Sequence, residues 1–335
     1  MSETQSLRER AELTGPVTGM VPSEHTGCDA LLAALGGMSF QARTLSRAAE
    51  ILTEMCAEPG VFKVLTLAGA LIPGGLKRVL MEMVSEGMVD VIISTGANVS
   101  HDLVEGMGHH HWQRCNLRSD TDLRDAFINR VYDTYITDDA FQRTALAMHR
   151  RLGEIAGRRT SPEICAFAGE AVTEPCLLST ARERGVPIFI PALNDSELGL
   201  LINSFNSQRG EEEQIIWDGL SDNMAFAEMM REVEVSGIVI CGGGVPRNWA
   251  QQVTPLLEYL HVPIGTFVRK FPGYRYGIHI TTDTPVYGGM SGCTISESIS
   301  WGKYDPRNTA VTVKCDVTIA LPLIVAAVIE RLRSR

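Results

Sequence analysis

The sequence is poor in several features that would mark a specialised protein. It has no long apolar run. The longest stretch near its end, Ile319 to Ile329, spans eleven residues and contains Pro322, whereas a bilayer crossing takes roughly 20 apolar residues. The opening residues, Met1 to Glu12, are charged and polar and carry no apolar signal core, so the expected compartment is cytoplasmic. There is no basic excess. Lysine and arginine total 30, aspartate and glutamate 40, and the net charge is −10. That balance disfavours non-specific nucleic-acid binding and suits an enzyme or a cationic partner. No Cys-x-x-Cys pair occurs among Cys28, Cys56, Cys115, Cys165, Cys176, Cys241, Cys293 and Cys315. Neither a zinc site nor a redox pair is signalled, no metal is expected, and reduced structural thiols are. The G-x-G-x-x-G fingerprint is also missing, as are internal repeats and low-complexity linkers.

What is present is a globular composition. Of the 335 residues, 44% are hydrophobic and 21% charged, enough apolar material for a large core. Residues 1–28 read as a polar N-terminal tail. Asp29 to Cys56 is helical in its apolar spacing, with a break at Gly36-Gly37. Lys63 to Ile72 reads as a buried strand, and Pro73-Gly74-Gly75 opens a helix over Leu76 to Glu86. Val89 to Ser94 is a second strand, followed by a loop Thr95 to Asn98 and then a helix. His109 to about Ser161 is more polar and reads as helical in pieces, with no pattern that fixes its architecture. One helix is expected over Glu163 to Arg184, and another over Met224 to Val233. Further strands are expected at Val186–Ile190, Gly237–Cys241, Tyr276–Thr281 and Ala310–Cys315, with a closing helix at Thr318–Arg331. Short apolar strands alternating with helices predict an α/β fold. It is a Rossmann-like parallel sheet covered by helices on both faces, with an N-terminal helical extension, one domain over 29–335.

In such sheets ligands bind beyond the carboxyl ends of the strands. Small residues and acids recur there: Gly69-Ala70-Leu71-Ile72-Pro73, Thr95-Gly96-Ala97, Asn194-Asp195, Gly242-Gly243-Gly244, Thr282-Asp283 and Asp316. Glycines let a backbone approach a phosphate, and acids hold ribose hydroxyls or cations. Each loop alone reads first as a tight turn; the joint pattern raises a nucleotide-type pocket to an equal reading. His109-His110-His111 resembles a metal cluster. Adjacent side chains diverge on any regular element, so a loop with one useful histidine is expected instead. Ser291, in Gly288-Gly289-Met290-Ser291-Gly292, does not match G-x-S-x-G and has no evident triad. Lys303, in Trp301-Gly302-Lys303, is a surface lysine unless Trp301 and apolar neighbours desolvate it. Desolvation would free the amine for imine chemistry.

These segments together resemble the deoxyhypusine synthase family over about Gly36 to Glu330. The likeness rests on Gly37-Met38-Ser39-Phe40-Gln41, Val89-Asp90-Val91 leading to Thr95-Gly96-Ala97, Pro191-Ala192-Leu193-Asn194-Asp195, Gly242-Gly243-Gly244-Val245 and Ser300-Trp301-Gly302-Lys303. The resemblance implies NAD as cofactor, a spermidine-like polyamine as donor, and a tetramer with sites at subunit interfaces. It places Lys303 where the family has its imine-forming lysine, and Trp301 and Glu297 among the residues lining the polyamine. Gly69, Ala70, Leu71, Ile72, Pro73, Thr95, Gly96, Ala97, Asp195, Gly243, Thr282, Asp283, Asp316 and Val317 fall where the family holds NAD. Asn248 stands where a polyamine-binding histidine is found, and the Gly288-Gly289 turn is assigned to the same pocket.

The chain also departs from the eukaryotic synthases. Ser100-His101 replaces two glutamates, and Leu200 and Met290 replace aspartates. Glu197, Glu297 or Asp102 could compensate. The stretch Thr281 to Thr294 reads like the deoxyhypusine synthase-like branch. The expected activity is therefore aminobutyl transfer through Lys303, with a small amine acceptor (homospermidine formation) favoured over a translation-factor lysine. His101, which titrates near neutrality, is the candidate for proton transfer, with a packing or capping role as the alternative. The competing readings are a non-catalytic nucleotide or polyamine binder and an amine dehydrogenase that releases NADH.

Overall fold

The computed structural model describes residues 16–114, 118–266 and 268–334. Six β-branched, apolar segments form strands β1 (Val61–Leu67), β2 (Val91–Ser94), β3 (Ile188–Phe189), β4 (Val235–Cys241), β5 (Tyr274–Thr281) and β6 (Tyr304–Lys314). All pair in parallel, in the order β6-β5-β4-β1-β2-β3. That is the 3-2-1-4-5-6 order of a doubly wound sheet, reversing direction between β1 and β4. Every strand expected from the sequence is in this sheet.

Helices α1 (Cys28–Leu35), α2 (Phe40–Ala57), α3 (Lys77–Ser85), α4 (Gly96–Gly106), α5 (Ser161–Ala171), α6 (Leu177–Arg184) and α7 (Glu197–Asn206) precede α8 (Gly219–Met230). Then follow α9 (Gly244–Gln251), α10 (Val253–His261), α11 (Ile295–Ser300) and α12 (Val317–Arg333). Strand side chains alternate between two cores. Leu65, Leu67, Val239 and Cys241 join Ile51 and Leu52 of α2 and Leu321 and Ile324 of α12. Val64, Ile238 and Ile240 face the other way, onto Phe226 of α8, Ala250 of α9 and Leu257 of α10. The expected N-terminal extension is thus no appendage. Glu330 of α12 accepts hydrogen bonds from Cys28 N (3.1 Å) and Asp29 N (2.8 Å), capping α1 from the far end of the chain.

Three local expectations change. The single helix over 163–184 is two. Thr160 and Glu163 form a reciprocal cap on α5, which ends at Ala171. Pro175 then disfavours helix in the residue before it, and α6 restarts at Leu177. The Thr95–Asn98 loop is the start of α4, with the Thr95 hydroxyl accepting from Asn98 N at 3.4 Å. Within 109–161, strands Trp112–Gln113, Ile128–Val131 and Thr134–Thr137 form a small antiparallel sheet. Gly157–Arg159 pairs in parallel with the distant Ile215–Trp217. Of the expected polar tail, residues 1–15 lie outside the described residues.

Candidate active site

The loops after β1 and β4 flank the point where the sheet order reverses, and a cleft of about 1260 Å³ opens there. Gly69–Gly75, Gly242–Gly244, Thr281–Asp283 and Cys315–Thr318 form its floor and sides, and Trp112–Arg114 with Val131–Thr134 of the small sheet overhang it. The β1 loop is held by one buried side chain. Asn98 Oδ1 accepts from Leu71 N (2.7 Å) and Ile72 N (3.3 Å), while its Nδ2 donates to Leu67 O at 3.4 Å. The Thr95 hydroxyl donates to Gly69 O at 2.7 Å. Gly243 is required by close approach: a Cβ there would lie 2.3 Å from Ser291 Cα. Asp316 caps α12, accepting from Thr318 N at 2.8 Å. The Ser291 hydroxyl and Thr284 N–H hold the Asp283 carboxyl below the usual carboxylate range. Glycine backbone and the N-termini of α9 and α12 offer N–H donors suited to phosphates, and the Asp283 and Asp316 carboxylates offer acceptors suited to ribose hydroxyls, a set that fits a dinucleotide.

Of the residues expected to hold such a cofactor, Gly69 to Pro73, Gly243, Thr282, Asp283, Asp316 and Val317 line this cleft. Thr95, Gly96, Ala97 and Asp195 do not. Thr95 acts one layer behind, through Gly69. Gly96 packs against Ser196, whose Cβ would be 2.4 Å from an added Cβ. Asp195 follows β3, the sheet edge two strands from the reversal point, and is exposed there.

A chain of side chains runs to one wall of the cleft. Lys77 Nζ meets Glu105 Oε2 at 2.6 Å, and Glu105 Oε1 meets His111 Nδ1 at 2.7 Å. His111 Nε2 meets His101 Nδ1 at 2.8 Å. Glu105 and His111 line the cleft, whereas His101 sits behind them, edge-on to Phe141 at 5.5 Å. Burial, with His111 close by, pushes the His101 imidazole down to about 4. Of the three consecutive histidines, His111 is thus the one that joins this chain. Glu105 carried no sequence signal; only the fold brings it there.

Lys303 lies outside the cleft lining. It immediately precedes β6, with only 7% of its surface exposed. Its Nζ donates to Asn248 Oδ1 at 2.9 Å and lies 5.9 Å from the Trp301 ring centroid. Trp301 itself is 63% exposed. Among the described residues no carboxylate is within ion-pair distance of Lys303. Burial lowers its ammonium below the usual range; the Arg247 cation lowers it further, against opposing pulls from Cys293 and Glu297. Arg247 is fully buried. Its Nη1 donates to Met290 O at 2.6 Å, and among the described residues Nε and Nη2 have no hydrogen-bond partner. The loop bearing Gly288 and Gly289 runs between the cleft and Lys303: Ser291 lines the cleft, and Cys293 acts on Lys303. Glu297, capped onto Thr294 at the start of α11, is exposed on the Lys303 side.

The family model for deoxyhypusine synthase matches residues 30–328. The chain belongs to the deoxyhypusine synthase family. It is 34% identical over 329 residues to "Probable deoxyhypusine synthase 1" of Methanosarcina acetivorans, covering 97% of this chain and 98% of that protein. It is 32% identical to "Deoxyhypusine synthase-like protein" of Chlorobaculum parvum, covering 96% and 91% respectively. A solved chain described as a candidate deoxyhypusine synthase from Entamoeba histolytica superimposes with a TM-score of 0.62 at 15% identity, over 93% of this chain and 96% of that one. That likeness concerns the fold.

Several positions where the chain departs from eukaryotic members of the deoxyhypusine synthase family have structural work here. The Ser100 hydroxyl accepts from Leu198 N at 3.1 Å. Asp102 is not a substitute acid. Its two oxygens accept from Leu177 N (3.0 Å) and Leu178 N (2.8 Å), so it caps α6 from within the core. Glu197 lies along a separate groove with Ser100 and Phe141. Of the three acids considered as replacements, Glu297 alone stands beside Lys303.

Proposed function

We propose that this protein is an NAD-dependent aminobutyl transferase that moves the aminobutyl group of a spermidine-like polyamine to an amine acceptor through an imine on Lys303. The observation that carries it is the burial of Lys303 against the neutral Asn248 amide and near a buried arginine, with no carboxylate in ion-pair contact among the described residues. Burial of a lysine so placed disfavours its ammonium form, and imine formation requires the free amine. Gly69 to Pro73, Gly243, Asp283 and Asp316 hold the dinucleotide. When bound there, it would supply hydride acceptance from the amine-bearing carbon of the donor and hydride return to the new imine.

Between those events the protein handles carbon and protons. The neutral Lys303 amine adds to the C=N carbon of the oxidised donor. The shorter diamine leaves with the electron pair of its C–N bond and a proton, and Lys303 keeps the butyl group as an imine. The acceptor amine then adds to the same carbon and expels Lys303. Asn248 orients the lysine, and Trp301 with Glu297 receives the cationic polyamine. His111, backed by His101 and Glu105, is the ring placed to pass protons at the cleft wall, and His101 acts as its positioning partner.

The acceptor we favour is a small amine such as putrescine, giving homospermidine. Support comes from the reduced set of acids around Lys303, which differs from that of the protein-modifying enzymes. The alternative is a translation-factor lysine. We further propose a homotetramer with sites at subunit contacts. The exposed Trp301, Tyr287 and Ile264 favour a covered mouth. The test is borohydride trapping with NAD and spermidine, followed by peptide mass mapping. An aminobutyl adduct on the Lys303 peptide is expected; none, with NAD bound, overturns the mechanism. Product analysis with putrescine and with a lysine-bearing acceptor protein then separates the two acceptors.

A further inference from the structure

The hairpin that overhangs the cleft holds a residue its backbone should resist. Tyr132 begins the two-residue turn between strands Ile128–Val131 and Thr134–Thr137, at φ 53°. An L side chain there crowds its own backbone, and tight hairpin turns place glycine or asparagine at such positions. Burial does not repay the strain, because Tyr132 is 85% exposed.

The surroundings nonetheless enforce the conformation. Arg130 Nη1 donates to Tyr132 O at 2.9 Å. The same guanidinium is fixed by Asp120 through Nε (2.7 Å) and Nη2 (2.9 Å). Arg114 N donates to Asp133 O at 2.9 Å, and the Thr134 hydroxyl reaches Pro73 O in the β1 loop at 3.5 Å. A strained residue fixed this firmly at a ligand cleft points to use of its side chain. Tyr132 lines the cleft with Trp112, itself 60% exposed. The facing loops offer backbone N–H groups and carboxylates, suited to phosphate and ribose. They offer no aromatic face for a flat heterocycle.

We propose that Tyr132 is a stacking residue for the cofactor, its ring covering one face of a flat heteroaromatic ring of the bound dinucleotide. This rests on the NAD reading of the cleft. Hairpin and β1 loop, tied through Thr134 and Pro73, then grip the nucleotide from opposite sides.

The experiment compares the full-length wild type with Tyr132→Gly, Tyr132→Asn and Tyr132→Phe. It reads NAD affinity by calorimetry, thermal melting without nucleotide, and solution mass. Glycine and asparagine both tolerate the backbone, so two variants guard against a folding failure in one. Both should melt higher, by about 2–4 °C, yet bind NAD about tenfold more weakly. Phenylalanine should keep the affinity. A merely structural tyrosine would not move stability and affinity in opposite directions. Wild type that binds NAD, with glycine and asparagine variants binding equally well, overturns the proposal alone. Wild type that does not bind NAD overturns the cofactor reading with it. Unchanged affinity with a changed solution mass also overturns it, and assigns Tyr132 to a contact with a second copy of the chain.

Discussion

The cleft and the Lys303 region adjoin along one glycine-rich loop, yet they are built on opposite principles. The cleft is made of backbone. Its glycines, helix N-termini and a single buried asparagine present N–H groups without burying a charge. The Lys303 region is made of side chains, and it buries two basic groups, Lys303 and Arg247; among the described residues neither has a carboxylate in ion-pair contact, and Glu297 acts on Lys303 only from an exposed position nearby. The first arrangement suits an anion because backbone N–H groups and helix N-termini converge there. The second suits an amine nucleophile because the fold makes its charge costly. Binding and reactivity thus lie on different physical terms, and they should separate under mutation.

The largest separation is expected from Lys303→Ala. Turnover should fall by at least ~1000-fold, as loss of a covalent nucleophile does, while NAD affinity stays within about twofold. Parallel loss of both would merge the two regions into one. Acid provides the next test. Burial holds His101 at about 4 and His279 at about 3, the latter with Arg247 also pushing it down. Both rings stay neutral when folded but protonate near 6.5 when unfolded, so the unfolded chain binds more protons as pH falls below 6.5. Stability should therefore drop, by about 3 kcal/mol per ring between pH 6.5 and 4. Buried Asp102 and Asp222, whose carboxyls are raised, work in the other direction. The difference in urea midpoint between wild type and His279→Gln across that range isolates the ring.

A smaller effect is expected from Gly243→Ala. The new methyl group would press on Ser291, costing about 1–3 kcal/mol of stability or cofactor affinity, measurable by melting with and without NAD. Borohydride trapping at Lys303, once NAD is saturating, should persist. The subtlest variant is Arg247→Met. Removing an uncompensated buried cation should leave stability unchanged or higher. It should also let the Lys303 ammonium rise, moving the acid limb of the pH–rate profile upward. An acid limb that does not move would show that burial alone controls the lysine.

The sequence made the sheet legible because each strand is a short run such as Val91–Ser94, flanked by glycine or proline punctuation. Both the strand and its ends are local properties. Gly69 to Pro73, Gly243, Asp283 and Asp316 were legible as cleft residues for the same reason: each follows its strand directly, and all the strands are parallel. The division of Glu163–Arg184 into two helices was signalled by Pro175, which the apolar spacing obscured. Residues 109–161 were opaque because Gly157–Arg159 pairs with Ile215–Trp217, and no local pattern encodes a partner so distant.

By itself, then, the sequence determined the fold class, the strand order's raw material and the residues at the strand ends. It also marked Lys303 through Trp301-Gly302-Lys303. Tertiary structure decided what surrounds each of these. It sent Asp102 into the core to cap α6, joined His111 to His101 and Glu105, and set Arg247 near Lys303 with no carboxylate in ion-pair contact among the described residues. It also hung Tyr132 over the cleft. Periodicity and turn chemistry act over a few residues, whereas desolvation and charge neighbourhood depend on every element that packs around a site.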